Sequence, residues 1–413
     1  MIKLSKVKKI RISSNLFIIL VMIFTTRISD GISTVVIPAI LEKHQGIVTI
    51  IGSIIGLQSL IGILIFLPQA TFIKKVGEKF SIRLGLFLNL LVYGFYMFAQ
   101  PGLVAVGKFA EGFGDRLLNS TTSKLIYDET DNTNNRGRVR ALMDAVSNIS
   151  VIVGPIIAGL LIGYSFQLPL GIALFIMGIT FVISKKIMLD QVDEIVEKTE
   201  NKSMFSKYYK VHIEKYFKNK FVVALTIPSI MLSGLGVFYS LLLSLYLLKY
   251  KGFSYLNIAT LWSVISAISV LVQIPSGYLA DKNRNFAFLL SAVLFVVGFY
   301  GLINIGDNVI LNYIFILITY SASLIYTTSM SALFGDVTTV ENRLSESETY
   351  RMFRALGEGI ITIIISRLFD INIVVCLGLI TVLVSLGALV TYIISKKHMQ
   401  QVELEATLSQ NIS

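Results

Sequence analysis

The stretch PSGYLADK, residues 275–282, is the most informative part of this chain because a degenerate copy of it occurs half a chain earlier. The copy is PQATFIKKVG, residues 68–77, and aligning the prolines gives an offset of 207 (275 − 68) in a chain of 413 residues. A second pair, SKLIYD at 123–128 and SALFGD at 331–336, repeats at an offset of 208 (336 − 128). Two matches at nearly one offset predict an internally duplicated chain with two similar halves.

The composition is that of an integral membrane protein. Hydrophobic residues make up 54% of the chain, charged residues only 15%, and the mean hydropathy is +0.75. A soluble domain carries about 25% charged residues. Apolar runs recur from Leu16 to Ile394, each of roughly the 20 residues that a helix needs to cross a bilayer. The runs lack strict alternation, so they predict membrane helices and exclude a barrel.

Twelve such runs are present, and the fold class is predicted to be all-α with twelve transmembrane helices. The predicted spans are 15–40, 47–70, 82–100, 103–126, 139–163, 167–188, 221–248, 254–279, 286–305, 309–332, 352–370 and 372–394. The longest polar stretch separates six spans from six. The predicted organisation is an N-terminal six-helix bundle (1–188), a linker (189–220), a C-terminal six-helix bundle (221–394) and a tail (395–413).

Lysine and arginine collect in alternate loops, which predicts that the linker, the tail and both termini are cytoplasmic. We expect a multi-pass protein of the plasma membrane. Tyr216 and three other linker residues (Tyr208, Tyr209, Val211) are predicted to lie on the membrane surface; a solvated charged linker is the alternative. The polar tail is expected to be mobile.

Several classes of function are disfavoured by the same residues. The net charge of +11 comes from basic residues at helix ends, so it reflects topology and predicts no nucleic-acid partner. The single cysteine, Cys376, allows no intramolecular disulfide. The three histidines are scattered and no nucleophile motif occurs, so we expect no metal site, no cofactor and no enzymatic activity.

Three motifs together resemble the major facilitator superfamily. GYLADK at 277–282 resembles its cytoplasmic loop motif, and KFAEGFG at 108–114 resembles its fourth-helix motif. SVIVGPIIAG at 150–159 resembles the fifth-helix motif of its antiporters, including drug exporters. The resemblance covers nearly the whole chain. It implies two pseudo-symmetric six-helix bundles around a central cavity, and transport by alternating access without ATP hydrolysis.

The loop motif implies a latch between helices. Its candidate residues are Gly277, Asp281 and Lys282, with Gly77 from the degenerate copy. We expect the glycine at 277 to allow close approach of helices and Asp281 to face a neighbouring helix N-terminus. The degenerate copy has Lys74 where the family has aspartate, which leaves the role of the N-terminal latch open.

Charged residues inside the spans are the candidate proton-coupling and cavity residues, because each costs roughly 2.5–3.5 kcal/mol or more in hydrocarbon. They are Arg27, Asp30, Lys108, Glu111, Asp115, Arg116, Asp144 and Glu358. The hypothesis is that Asp30, together with Asp115 or Glu111, carries a proton. The alternative is that Arg27–Asp30 and Lys108–Glu111 are static ion pairs.

The C-terminal half contributes aromatic candidates for a substrate cavity, namely Tyr239, Trp262, Tyr320 and Tyr326. Aromatic and hydroxyl groups suit an amphipathic organic solute, although ordinary packing is the alternative. The fifth-helix motif, with Gly154, Pro155 and Gly159, favours export by resemblance. The predicted function is proton-coupled efflux of amphipathic drugs or metabolites by a monomer. A proton-coupled importer or a facilitator of a small metabolite, and a non-transporting membrane sensor, are the alternatives.

Overall fold

A computed structural model describes residues 13–44, 48–50, 52, 53, 56, 59, 72, 73, 76–130, 136–187, 213–338 and 343–412. The regular structure within these ranges is entirely helical. The long helices are α1 Ser14–Lys43, α2 Glu78–Tyr96, α3 Pro101–Thr130, α4 Arg136–Leu161, α5 Gln167–Ser184, α6 Lys220–Lys251, α7 Tyr255–Asn304, α8 Val309–Val337, α9 Arg343–Ile371 and α10 Ile373–Ile412.

Eleven of the twelve predicted spans correspond to these helices, and the remaining one, 47–70, lies mostly outside the described residues. The two predicted spans 254–279 and 286–305 are two helices that meet at Asn283 within the range given for α7, where the backbone is non-helical (φ −153°, ψ 76°). The chain reverses there, because Lys251, just before the first of these helices, donates a hydrogen bond to the carbonyl of Ile305, just after the second. The Asn283 side chain accepts a hydrogen bond from the Phe286 N–H at 3.1 Å, which restarts the helix after the kink.

Polar side chains placed just before the apolar runs determine where several helices begin. Ser13, Asn219, Ser254 and Asn308 each accept a hydrogen bond from the N–H three residues later. These bonds satisfy N–H groups that have no partner within the helix. At the end of α6, Gly252 adopts the left-handed conformation (φ +63°), which terminates the helix.

The outer surface of the molecule is apolar, as a bilayer requires. Phe175, Leu271, Ile274 and Ile310 are among many large apolar side chains that point outward, and they are 69–77% exposed. Six of the described helices are long and apolar enough to span a membrane by length and composition. Helix α3 is not among them, because four charged residues lie within its middle turns. The polar groups of α3 therefore need partners inside the protein.

The described helices of each half pack in the same pattern, which is the structural counterpart of the sequence repeat. In the N-terminal half, α1 packs against α4 and α5, and α2 packs against α3 and α5. In the C-terminal half, α6 packs against α9 and α10, and α7 packs against α8 and α10. The first helix of each half thus contacts the last two helices of that half, as expected for two pseudo-symmetric bundles.

The two halves touch near the end of the molecule at which α1 terminates. A Cβ atom built on Gly159 of α4 would lie 2.4 Å from the Ala259 Cβ of α7, so the two backbones are in close contact there. At the same end, Asp370 of α9 accepts hydrogen bonds from the backbone N–H and the hydroxyl of Thr49. The halves are therefore closed against each other at this end.

The polar segments differ in part from what was expected. The tail is helical, because α10 continues to Ile412, eighteen residues beyond the predicted end of the last span, and its mobility stays a prediction. The expectation that Tyr216 lies on the membrane surface was wrong. Tyr216 is 2% exposed, stacks on Phe353 with ring centroids 5.2 Å apart, and its hydroxyl lies 2.6 Å from that of Thr226. Tyr208, Tyr209 and Val211 lie outside the described residues.

Candidate functional site

Charged side chains of α1 and α3 meet polar side chains of α2 in the interior of the N-terminal half. We call this group the charged cluster; its members are Arg27, Asp30, Asn89, Tyr93, Tyr96, Lys108, Glu111 and Asp115. The sequence analysis identified the five charged members.

Asp30 is held from two helices. Its Oδ2 atom lies 3.1 Å from Nη1 of Arg27, one helical turn away on α1. Its Oδ1 atom accepts a hydrogen bond from the Tyr93 hydroxyl of α2 at 3.3 Å. The ion pair that was the static alternative for these two residues is therefore present, and it is joined to a neutral donor on another helix.

Glu111 has the same kind of environment on α3. The Lys108 ammonium lies 2.9 Å from its Oε1 and 2.7 Å from its Oε2. The Tyr96 hydroxyl donates a hydrogen bond to Oε2, and the Lys108 ammonium lies 5.8 Å from the centroid of the Tyr96 ring. The Lys108 and Glu111 side chains are only 22% and 20% exposed, so this pair is largely removed from solvent.

Asp115 is bound differently from the other two carboxylates. Its Oδ1 atom accepts a hydrogen bond from the Asn89 side-chain amide at 2.8 Å. The carboxylate of Asp115 is close enough to those of Asp30 and Glu111 to be repelled by both, and it is attracted by the positive charge of Arg27. The charged members of the cluster are two cations and three carboxylates, so their formal charge is 2 − 3 = −1.

Close helix crossings bring these residues together. A Cβ on Gly154 of α4 would lie 2.4 Å from the Ile28 carbonyl oxygen of α1 and 2.8 Å from the Cα of Gly31, which follows Asp30. A Cβ on Gly85 of α2 would lie 2.9 Å from the Gly114 carbonyl oxygen of α3, immediately beside Asp115. Small residues are needed at both crossings. Pro155 follows Gly154 within α4, and the third motif glycine, Gly159, contacts the other half of the molecule.

Arg116 and Glu358 lie on opposite halves and interact electrostatically with each other. Arg116 follows Asp115 on α3, and Glu358 lies on α9 beside Gly236 of α6. Arg354, one turn before Glu358, is also close enough to interact with it. The side chain of the remaining candidate charge, Asp144, lies outside the described residues.

Two of the aromatic candidates in the C-terminal half contact each other. The rings of Tyr239 and Tyr320 meet edge to face with centroids 5.2 Å apart. Tyr239 lies in a π-helical turn, Phe238–Leu242, that interrupts α6. Such turns are frequent at functional sites because they change the direction in which side chains project.

The other two aromatic candidates occupy helix interfaces instead. The Trp262 indole N–H donates to the Ser244 hydroxyl at 3.0 Å, which joins α7 to α6. The Tyr326 hydroxyl lies 2.9 Å from that of Thr391 on α10. Trp262 and Tyr326 thus contact other partners than the Tyr239–Tyr320 pair does.

The latch residues are arranged differently from what the motif implied. A Cβ on Gly277 would meet no atom of the described part of the chain within 4 Å, so the close helix approach expected at this glycine is not found among the described residues. Asp281 and Lys282 are exposed, and the Lys282 ammonium lies over the Tyr278 ring. Gly77 has φ +83°, a conformation that favours glycine, at the turn before α2.

An ion pair joins the residue two positions after the loop motif to the end of the segment 331–336. Arg284 Nη1 lies 2.6 Å from Oδ2 of Asp336, which ends the repeat at 331–336. Arg284 comes just after the kink at Asn283, so the pair fastens the kinked part of α7 to the end of α8. Of the degenerate copy, residues 68–71, 74 and 75 lie outside the described residues.

The sequence analysis missed Asn89, Tyr93 and Tyr96, the contributions of α2 to the charged cluster. A signal was available, since positions 89, 93 and 96 follow the i, i+4, i+7 spacing of one helix face. Tyrosine is common in membrane helices for other reasons, so the spacing becomes informative only beside the charges of α1 and α3.

Comparison with known proteins agrees with this architecture. The family model described as Major Facilitator Superfamily matches residues 19–362, which is most of the chain. The chain belongs to the Major Facilitator Superfamily. It is accordingly an all-helical membrane protein of twelve helices in two bundles, and membership of this family of transporters supports a role in transport rather than enzymatic catalysis.

Solved structures of superfamily transporters share the fold at low sequence identity. A nucleoside transporter, NupG, superposes with a TM-score of 0.72 at 12% identity, covering 92% of this chain and 98% of the other. A peptide transporter of the POT family gives 0.71 at 15% identity, covering 92% and 95%. A bacterial homologue of the human lysosomal transporter Spinster gives 0.69 at 10% identity, covering 92% and 96%. No curated protein matches the sequence.

Proposed function

We propose that this superfamily member is a secondary active transporter that exports amphipathic drugs or metabolites in exchange for protons. The observation that carries the proposal is the charged cluster, in which three carboxylates share two cations inside a membrane-embedded half of the protein. Ionisable residues at such depth are costly and mark ion and substrate pathways. One bound proton would bring the charged members of the cluster to neutrality.

Asp115 is the carboxylate that we expect to take the proton. Asp30 and Glu111 are each bonded to a cation one turn away, whereas the hydrogen bond described for Asp115 comes from the neutral amide of Asn89. A bound proton would also remove the repulsion between Asp115 and its two neighbours. Asp30 remains the second candidate, since Tyr93 links it to α2.

Groups of both halves support the proposed substrate class. In the C-terminal half, the partly buried ring of Tyr320 offers aromatic surface beside the ring of Tyr239. Arg116 and Glu358, which interact between the two halves, offer one charge of each sign. Amphipathic organic solutes match such a lining. Export rather than import is supported by the resemblance of Gly154–Pro155 to the antiporter motif. We expect a monomer in the plasma membrane with both termini cytoplasmic.

The test is substrate-dependent proton movement in inverted membrane vesicles with an imposed inside-acid gradient. A panel of lipophilic cations and antibiotics would be added to vesicles that contain the wild type, Asp115→Asn, Asp30→Asn or Glu403→Gln. Glu403 is exposed at the end of α10, so its variant is the matched control. We expect a compound to collapse the gradient with the wild type and with Glu403→Gln. The collapse should be absent with Asp115→Asn. An undiminished response in both aspartate variants would refute the proton role of the cluster.

The direction of transport needs a separate measurement. A labelled solute that collapses the gradient should be depleted from whole cells that express the protein, relative to cells that express Asp115→Asn. Accumulation instead would assign the protein to proton-coupled import. Equilibration without dependence on pH would assign it to facilitated transport. A complete lack of solute movement across the panel would favour a narrow metabolite carrier or a non-transporting sensor.

A further inference from the structure

A basic pocket lies at the end of the C-terminal half where α6 begins, away from the charged cluster. Its volume is about 550 Å³, and it opens to the surface. The polar side chains that line it are Lys215, Lys218, Asn219, Lys220, Glu346 and Gln401, which come from the segment before α6 and from α6, α9 and α10. The transport proposal assigns no role to this pocket.

The side chain of Asn219, which lines the pocket, forms hydrogen bonds to three helices. Its side-chain carbonyl accepts from the Val222 N–H of α6 at 3.3 Å. Its amide donates to the Val337 carbonyl of α8 at 2.8 Å and to Oε2 of Glu346 on α9 at 3.2 Å. The segment that carries Lys215 and Lys218 is anchored in turn by the buried ring of Tyr216. The lysines therefore extend from an ordered frame.

The charge of the pocket is positive. Three lysines face one carboxylate, so the formal charge is 3 − 1 = +2. The carboxylate of Glu346 is already engaged by Asn219, and Glu346 is only 4% exposed. Burial raises the pKa of Glu346, while the Asn219 hydrogen bond and the charge of Lys215 lower it. The three lysines are exposed, and their ammonium groups are available to an anion.

The pocket also lies at an apolar boundary. The predicted membrane span of α6 begins at residue 221, directly after the last of the three lysines. Phe221, the first residue of that span, lines the pocket. Phe217, which lies between Lys215 and Lys218 in the sequence, is 56% exposed although it is a large apolar side chain. A lysine-rich pocket beside apolar surface at the end of a membrane helix matches the head group and the upper acyl chain of a phospholipid.

We propose that this pocket binds the phosphate of an anionic membrane phospholipid, with Lys215, Lys218 and Lys220 as its cationic ligands. A free phosphate ion shares the chemistry of the head group, but only a lipid also has an acyl chain that can contact Phe221 in the pocket lining. The lipid is bound from the bilayer, so the pocket fastens the linker end of the C-terminal half to the membrane surface.

Binding of a fluorescent phosphatidylglycerol to the purified full-length protein in detergent tests the proposal. The triple variant Lys215→Gln/Lys218→Gln/Lys220→Gln removes the pocket charges. The triple variant Lys79→Gln/Lys185→Gln/Lys186→Gln is the matched control, because it removes three exposed lysines of the N-terminal half. Binding of labelled phosphatidylcholine tests whether a net negative head group is needed, and competition by inorganic phosphate tests whether free phosphate binds instead. Thermal unfolding shows that each variant is folded. If the pocket triple variant is unfolded, Lys218→Gln and Lys220→Gln are measured singly.

We expect the pocket variant to bind phosphatidylglycerol about tenfold more weakly than the wild type, and the control variant to change by less than about twofold. Binding of the wild type should weaken as salt is raised. Equal losses in the two triple variants, no loss in the pocket variant, or equally tight binding of phosphatidylcholine would overturn the proposal. Displacement of the lipid by inorganic phosphate at the same concentration as by unlabelled phosphatidylglycerol would assign the pocket to free phosphate instead.

Discussion

Asp370 at the end of α9 accepts two hydrogen bonds from Thr49, a residue 321 positions away on the other half of the protein. The backbone N–H of Thr49 lies 2.7 Å from Oδ2 of Asp370, and the Thr49 hydroxyl lies 2.6 Å from the same oxygen. Bonds to an ionised carboxylate are stronger than those between neutral groups. This pair of hydrogen bonds therefore stabilises the contact between the two halves at their closed end.

Weakening the hydrogen bonds between Thr49 and Asp370 should open that end. We expect Asp370→Asn to shift the population toward the open arrangement, because a neutral acceptor loses part of a bond to a charged group worth about 1.5–3 kcal/mol. The measurement is a distance distribution between spin labels at Tyr164→Cys and Gly306→Cys, in a Cys376→Ala background. Thr260→Val is the control, since Thr260 is exposed and its hydroxyl donates a hydrogen bond to the Leu256 carbonyl within α7. An unchanged distribution in Asp370→Asn would show that apolar contacts alone hold the end closed.

The crossing of α1 and α4 should tolerate no side chain at Gly154. A Cβ there would lie 2.4 Å from the Ile28 carbonyl oxygen and 2.8 Å from the Gly31 Cα, so backbone must move. We expect Gly154→Ala to reduce stability by about 1–3 kcal/mol, as overpacking does. Thermal unfolding in detergent measures the effect. Gly94→Ala is the matched control, because a Cβ at Gly94 meets nothing within 4 Å. Equal melting temperatures for the two variants would contradict this packing.

The Lys108–Glu111 pair can be assigned to structure or to transport by exchanging its charges. Each single variant, Lys108→Gln or Glu111→Gln, should lose about 1–3 kcal/mol of stability, because it leaves a largely buried charge without its partner. The double variant Lys108→Glu/Glu111→Lys restores an ion pair. If the pair is structural, the exchange should recover both stability and proton-coupled transport. We expect stability to recover and transport to stay low, because the exchange removes Glu111 from its bond with Tyr96.

Two tyrosines of α8 should behave differently when they are changed. Tyr320 contacts Tyr239 beside the π-helical turn, so Tyr320→Ala should raise KM for aromatic solutes several-fold. Tyr326 bonds to Thr391 within the helix packing, so Tyr326→Phe should cost about 1 kcal/mol of stability and leave KM unchanged. Transport kinetics and thermal unfolding of both variants check the pair. A KM effect confined to Tyr326→Phe would place the solute between α8 and α10 instead.

Most of the fold could be predicted from local properties of the sequence. Apolar runs of membrane length predicted eleven of the spans that the structure describes, and the resemblance to superfamily motifs predicted the family. The tightness of the turn at Asn283 was not predictable in this way. The polar run around it is typical of a loop of several residues, whereas a single non-helical residue separates the two helices, since Asn283 caps the second helix and Arg284 pairs with Asp336.

The candidate site was predictable only in part. The five charges of the cluster were evident, since a charge within an apolar run is conspicuous in the sequence alone. Their partners on α2 were not, because Asn89, Tyr93 and Tyr96 are ordinary residues until the Gly85–Gly114 crossing brings α2 against α3. Tyr326 looked equivalent to Tyr320, but its hydroxyl is turned toward α10.

The sequence by itself determined the membrane setting, the two halves and the residues that carry charge into the bilayer, because hydropathy and repeats are properties of short stretches. The tertiary structure alone decided which polar groups of different helices meet. Asp115 faces the amide of Asn89, and Asp370 reaches Thr49 in the other half. Such pairings depend on the rotation and crossing of helices that are far apart in the chain. Glycines at the contacts set these crossings, and no local pattern of polarity encodes them.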